Sequence, residues 1–428
     1  MSYDDALGIA ERKGPFTGLV LSVIGALAAC TITPNTSGIS PVAQRGQQIS
    51  GWKPVTVLEI RTPSPLPPGM SNRQLDLISS VAWMRGGTMI ATPISKLGLV
   101  TWAHPYSSPN SISWINYHLG GRGSWSGTGR PAGLIRCRHS IGVPYFLKGL
   151  DGANPRLAVN WYSRRTTRIL RVYQVVLRGV RNEGVRVVAP RNSDWFATIP
   201  VAVRGSGVKP KISLWNNRNG KRLPAHFPPL RLGRTSAFCS SDVLGWVDGG
   251  DKVHIAKLGE KPLMLTSVKQ MVISQESLRS AAISPDGKRL LLCARKNKYF
   301  PGRIKMILAP SSGAGTMKSV QYLKTGDVTC SPVFSPNSRL AAFALVWVNG
   351  RVFGGMDIFL VRVHGFRVLR WADIHAVMLP QALSFSPDGR QLALTTPHKI
   401  FIFDIPGSRR STSQIALPLS HVKQIRMP

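Results

Sequence analysis

Three short stretches, AAISPDGKRLLLC (281–293), PVFSPNSRLAAFA (332–344) and LSFSPDGRQLAL (383–394), place a Ser-Pro turn between two apolar runs. Their prolines, Pro285, Pro336 and Pro387, stand 51 residues apart both times. A fixed period near fifty restricts a chain to architectures built from repeated copies of one unit. The local chemistry says what each copy contains. Pro387 presets φ for the first corner of a tight turn, Asp388 tolerates the second, and Gly389 can take the positive φ that reverses the chain. Leu383 and Phe385 alternate with polar neighbours before the turn, as Leu392 and Leu394 do after it. Each copy therefore opens with a β-hairpin.

Weaker copies lie upstream. Phe385, Phe334 and Ile283, each just before its Ser-Pro, are joined by Phe238, Val188, Phe146 and Trp83, which makes seven anchors. β-rich runs ending in turn residues follow them, as at 114–121, 170–179, 211–220, 252–260, 356–365 and 399–407. Three to four short antiparallel strands per unit, repeated, predict an all-β β-propeller of seven blades. Composition agrees, since 43% hydrophobic and 17% charged residues over 428 positions suit a globular chain with a large core.

The Ser-Pro-Asp-Gly turns at 284–287 and 386–389, with KRLLL and RQLAL after them, resemble the blades of TolB-like and WD-repeat-like bacterial β-propellers. The resemblance is specific over the last third of the chain, and Asn337-Ser338 stand where the pattern has Asp-Gly. It implies a rigid face around a central channel, with recognition by loops on that face. Asp286 and Asp388 read as turn residues rather than ligands.

The N-terminus bears on the compartment. Glu11, Arg12 and Lys13 precede the apolar stretch 16–29, which is short for a membrane span and ends at Leu27-Ala28-Ala29-Cys30. Those four residues look like a bacterial lipobox, which implies cleavage before Cys30 and diacylation of its sulfur. Asp4 and Asp5 are atypical of an export signal. The expected organisation is a lipoprotein signal peptide over 1–29, a flexible tether over 30–52 rich in Thr, Ser, Gly, Pro and Gln, and the propeller over 53–428. This places the chain outside the cytoplasm, lipid-anchored to the cell membrane or outer membrane. The run PVTVLEIR (54–61) is cut off from the first blade by a Pro-rich segment, and we assign it to the outer position of the last blade, where it would close the ring. Its competitor, 413–420, contains Pro418.

Charge is the other unusual feature, at a formal net +36. Without residues 1–29 the chain keeps 53 basic and 16 acidic residues, and 161–234 alone carries 16 Lys or Arg against Glu183 and Asp194. Such a field attracts polyanions. Behind an export signal the expected partners are acidic lipids, acidic polymers or acidic proteins rather than nucleic acid, and a general compositional bias on solvated faces is the competing reading. Arg164, Arg165 and Arg168, set between two strand-like runs, are the candidate anion-binding residues. A second candidate is the loop 120–130, where Arg122, Trp125 and Arg130 suit stacking on a ring with charge pairing; its alternative is a plain extended connection.

No nucleophile elbow, zinc spacing, phosphate loop or paired carboxylates occur, and the nine His are scattered singly. Cys293 and Cys330 could be neighbours, with buried free thiols as the alternative. The expectation is a non-catalytic scaffold without metal or cofactor, binding other envelope proteins and held to the membrane through lipidated Cys30. A polyanion- or membrane-surface-binding module, or an enzyme with its site in the central channel, are the alternatives.

Overall fold

The computed structural model describes residues 52–406 with interruptions, the longer ones at 60–79, 106–112, 116–129, 148–153, 178–184, 201–210, 228–235, 259–264, 296–301 and 375–381. Among the described residues there are 28 β-strands and no helix. β1 (Thr56–Glu59) stands alone in sequence. β2 to β5 are Ala82–Met84, Met89–Ile94, Gly98–Trp102 and Ser113–Ile115. β6 to β10 are Arg130–Pro131, Ile135–Arg136, Ser140–Leu147, Arg156–Ser163 and Ile169–Val176. β11 to β13 are Val185–Val188, Trp195–Pro200 and Ser213–Asn216, and β14 to β17 are Ser236–Ser240, Val243–Val247, Val253–Leu258 and Leu265–Met271. β18 to β21 are Ser277–Ile283, Arg289–Arg295, Gly302–Pro310 and Lys318–Val328; β22 to β25 are Val333–Phe334, Leu340–Asn349, Val352–Arg362 and Arg367–Ile374. β26 to β28 are Ala382–Phe385, Gln391–Thr395 and Lys399–Asp404.

All pairings are antiparallel, and all but β1–β28, β6–β8 and β21–β23 join strands adjacent in sequence. The result is an all-β propeller whose inner strands follow one another around the ring: β14 touches β18, β18 touches β22, and β22 touches β26. Neighbouring sheets share their cores because strands such as β8, β9, β12 and β19 are buried on both faces. In β8, Tyr145 packs towards the preceding sheet beside Met84 and Leu99, while Phe146 packs towards the following one beside Val187 and Phe196. In β19, Leu290 and Leu292 face the side of Val253 and Ile255, and Leu291 and Cys293 face Phe343 and Phe359. Complete burial of such side chains contributes about 1.5–3 kcal/mol each, so the contacts between sheets hold the ring together. Gly245 keeps its lack of a side chain for the same reason, since a Cβ there would lie 2.0 Å from the ring of Phe238 opposite it.

Two expectations need correction. The strands form six sheets, not seven separate blades. The two anchors Ile283 and Phe334 lie in one eight-stranded sheet, because β21 runs on to pair with β23 through Gly326–Trp347, Asp327–Val346 and Val328–Leu345. Two four-strand repeats are thereby fused edge to edge. The anchor Phe146 is also one strand out of place: β8 is a second strand, and the innermost position of its sheet is filled by the short β6 and β7. Pro131 and Gly133 interrupt that inner stretch, so it carries no run long enough to be read as a strand.

The ring closes where expected. β1 pairs antiparallel with β28, Thr56 opposite Ile402 and Leu58 opposite Ile400, at the outer edge of the last sheet. Leu58 is fully buried. The competing segment 413–420 lies outside the described residues. Trp52, the last residue assigned to the tether, is docked: its ring lies 4.7 Å from that of Phe403, its indole donates to the Asp404 carbonyl at 2.9 Å, and its amide donates to the Trp371 carbonyl. A second closure forms inside the ring, where the buried Trp83 indole of the first sheet donates to the Ser384 carbonyl of the last at 3.1 Å.

Candidate interaction face

The three repeats fold their turns by one chemical device. The device is clearest at Ser386, whose buried hydroxyl donates to Asp388 Oδ1 at 2.6 Å and accepts from the Gln391 amide at 2.9 Å, while Asp388 Oδ1 also accepts from the Arg390 amide at 3.1 Å. Ser284, Asp286, Lys288 and Arg289 repeat those three bonds, in the same order, at 2.5, 2.9 and 3.1 Å. Ser335, Asn337, Arg339 and Leu340 repeat them again at 2.8, 2.9 and 3.1 Å. A short polar side chain bonding the backbone two residues on is the usual stabiliser of such turns. Gly287 and Gly389 take φ near +70°, and Ser338 takes the same place with φ 59°, where a side chain is strained. The assignment of Asp286 and Asp388 to turns is therefore correct. Burial alone would raise the Asp286 carboxyl; the Ser284 hydroxyl, the Lys288 amide and the Lys288 charge outweigh it and hold the pKa below its ordinary 3.8.

The turns interlock. The Asp286 amide donates to the Ser338 hydroxyl at 3.2 Å, a methyl group on Gly389 would come within 3.5 Å of the Pro336 ring, and the Ser240 hydroxyl donates to the Pro285 carbonyl at 2.8 Å. Because strands alternate in direction, connections between first and second strands and between third and fourth strands emerge on one rim. On that rim lies a cavity of about 830 Å³. Its exposed wall carries Arg289, Arg339, Arg362, Arg390 and His364 with Asp286 and Asp388, and its lining includes the apolar Leu340, Val363 and Ile405. Sequence reasoning missed this site, although the signal was present: Lys288, Arg339 and Arg390 sit at the same turn position, again 51 residues apart.

The sequence-selected arginines reach the same rim in another sector, at the turn between β9 and β10. Arg165 and Arg168 are exposed there. Arg164 is half-buried and faces inwards, donating to the Trp83 carbonyl of the neighbouring sheet and to the Cys137 carbonyl at 3.2 Å. It ties two sheets together and differs in role from the other two. Arg136 does the same through the Val81 carbonyl at 2.9 Å. Further round, Arg171 stacks 4.4 Å over the Trp161 ring and donates to the Asn217 carbonyl, which also accepts from Tyr173 at 2.9 Å. Burial pushes the Tyr173 phenol up to about 12. Arg130 enters β6 opposite Phe146. Cys30, Arg122 and Trp125 lie outside the described residues.

Cys137, Cys239 and Cys293 are free thiols, so the reading of Cys293 as a buried thiol holds, and burial pushes it up to about 12; Cys330 lies outside the described residues. Among the described residues no group of three or more His, Cys, Asp or Glu is placed to hold a metal ion.

No protein-family profile and no curated protein sequence matches the chain. Solved structures match it in shape. One from "Structure of U3-55K" superposes with TM-score 0.52 at 11% identity, covering 83% of this chain and 100% of that one. Another from "Crystal Structure of Mitotic Checkpoint Complex" gives 0.50 at 14% identity, covering 84% and 94%, and "Structure of Dos1 propeller" gives 0.50 at 9%, covering 82% and 95%. These neighbours are WD40-like β-propellers, and at such identities the likeness is one of fold alone.

Proposed function

We propose that this chain is a lipid-anchored, extracytoplasmic scaffold that binds other envelope proteins through one rim of its propeller and performs no catalysis. The observation that carries the reading is the rim itself, where three turns built by the same hydrogen-bond pattern adjoin around an open, cation-walled cavity. A rigid surface of this kind binds without the ordering penalty that a mobile loop would incur. The anchor rests on Leu27-Ala28-Ala29-Cys30 and the resemblance to a lipobox. Two acyl chains on one glyceride would make that anchoring stable.

The test has two arms in a bacterial host. Cys30→Ser should stop labelling of the chain by palmitate, and persistent labelling would refute the anchor. Chemical crosslinking in intact cells, followed by gentle solubilisation, should recover the chain joined to a protein partner in fixed proportion; recovery of the chain alone would refute the scaffold.

A second reading, attraction to an anionic surface, draws on the exposed Arg165 and Arg168. Replacing both with Gln should weaken binding to anionic vesicles and flatten its salt dependence. An unchanged salt dependence would leave their charge without a function.

A further inference from the structure

The cavity between the three Ser-Pro turns has a composition that selects its ligand. Its wall holds four guanidinium groups, Arg289, Arg339, Arg362 and Arg390, together with His364. The two carboxylates beside them are already engaged. Asp286 Oδ1 accepts the Ser284 hydroxyl and the Lys288 amide, and Asp388 Oδ1 accepts the Ser386 hydroxyl and the Arg390 amide, with Arg390 Nε 3.9 Å from its second oxygen. Those bonds hold Asp286 ionised and turn both carboxylates to the backbone, so four guanidinium groups against two carboxylates leave the site net cationic, and the planar fork of arginine matches carboxylates two oxygens at a time.

Leu340, Val363 and Ile405 give the cavity an apolar lining beneath this wall, with Val363 and Ile405 buried. A bare phosphate or a polysaccharide phosphate would leave that surface unused, and a flat bilayer surface does not fill a recess of about 830 Å³. A polypeptide that alternates carboxylates with aliphatic side chains meets both demands. The cations are contributed by separate repeats whose turns touch directly, so they form one continuous rim that an extended segment can follow.

We propose that this cavity binds an acidic, aliphatic-containing peptide segment of a partner protein. The proposal rests on the scaffold reading and names the surface and the partner chemistry that would serve it. Recognition of acidic motifs by clustered arginines is an established physical mode, and its charge pairs set specificity and association rate.

The test uses the full chain in a non-ionic detergent and a fluorescent ten-residue peptide of alternating Glu and Leu, read by anisotropy. The wild-type chain should bind it. The triple variant R289Q/R339Q/R362Q should bind at least tenfold more weakly. A charge-matched triple in another sector of the rim, R165Q/R168Q/K221Q, should change affinity less than twofold, and the Gln-Leu version of the peptide should not bind. R339E/R362E should capture a Lys-Leu peptide that the wild type rejects, a gain that loss of folding cannot produce.

No binding by the wild type would overturn the proposal. So would equal weakening by both triples, which would mean diffuse charge, or equal binding of the Gln-Leu peptide, which would mean an apolar groove alone. Retention on phosphatidylglycerol vesicles that depends on Arg289, Arg339 and Arg362, without peptide binding, would assign the cavity to lipid instead. The scaffold reading survives each of these results as long as crosslinking still recovers a partner protein.

Discussion

The sector from β18 to β28 and the sector from β2 to β13 solve the same problem by different chemistry. In the former, three repeats hold their turns with a Ser hydroxyl and an Asp or Asn side chain, and the Asp286 amide of one turn reaches the Ser338 hydroxyl of the next. In the latter no such turn recurs among the described residues, and arginines span the joints instead: Arg136 and Arg164 reach carbonyls of the preceding sheet, and Arg171 reaches Asn217 of the following one. The comparison teaches that part of the unusual positive charge of 161–234 is structural. A guanidinium satisfies several carbonyls at once, so it can replace a turn network that the sequence lacks.

The largest expected effect lies at the seam where the two sectors meet. Deletion through Gly51 should leave thermal unfolding nearly unchanged, because it spares Trp52 and β1. Deletion through Arg61 removes both and exposes the edge of β28, and should destabilise by more than the about 2–5 kcal/mol typical of truncating one buried Leu such as Leu58. Equal melting of the two deletions would break the comparison at its seam.

Next in size is the contrast within one turn. Arg164→Gln leaves two carbonyls without their charged donor and should cost about 2–3 kcal/mol in urea unfolding. Arg165→Gln and Arg168→Gln, both exposed, should each stay within about 0.5 kcal/mol of wild type. Similar values for all three would return Arg164 to the solvent-facing set. In the regular sector, Ser386→Ala removes the hydroxyl that joins Asp388 to the Gln391 amide, and should cost about 1–2 kcal/mol. A value near zero would mean that the turn rests on its backbone alone.

The smallest effect is a pH dependence. The Asp286 pKa is lower folded than its ordinary 3.8, so its contribution is complete above that value and is lost as pH falls through the folded pKa. Asp286→Asn keeps the acceptor, as Asn337 does in the next repeat, but cannot titrate. The melting temperature of wild type minus that of Asp286→Asn should therefore shrink between pH 5 and about pH 2.5. A difference that widens on acidification would contradict the assigned direction.

Much of this was legible in the residues, and the failures have physical causes. The 51-residue spacing exposed the repeats because the turn demands Ser, Pro and a short polar residue at fixed places. The orphan run 54–61 declared itself as a closing strand because an open sheet edge needs a partner. Phe146 misled because β6 and β7 are too short and too interrupted by Pro131 and Gly133 to show alternation, so the first apolar run of that sheet was its second strand. The fusion of two repeats into one sheet was invisible because pairing of β21 with β23 depends on how far a strand extends, not on its pattern. Arg164 could not be told from Arg165, since direction out of a turn is set by the neighbouring sheet. The cation-walled cavity was missed for another reason: Arg339 and Arg390 share a turn position that the repeat shows, but Arg289, Arg362 and His364 lie outside it and only the ring brings them together.

Closure of that ring by the N-terminal strand is the claim on which the rest depends, and hydrogen exchange read by mass spectrometry addresses it directly. Peptides covering 52–59 should exchange as slowly as those covering 399–404, because Val55 donates its amide to the Ile402 carbonyl at 2.8 Å and β1 and β28 open as one unit. Exchange of 52–59 at the rate of an unprotected chain, with 399–404 still protected, would contradict the closure and leave β28 as an open edge.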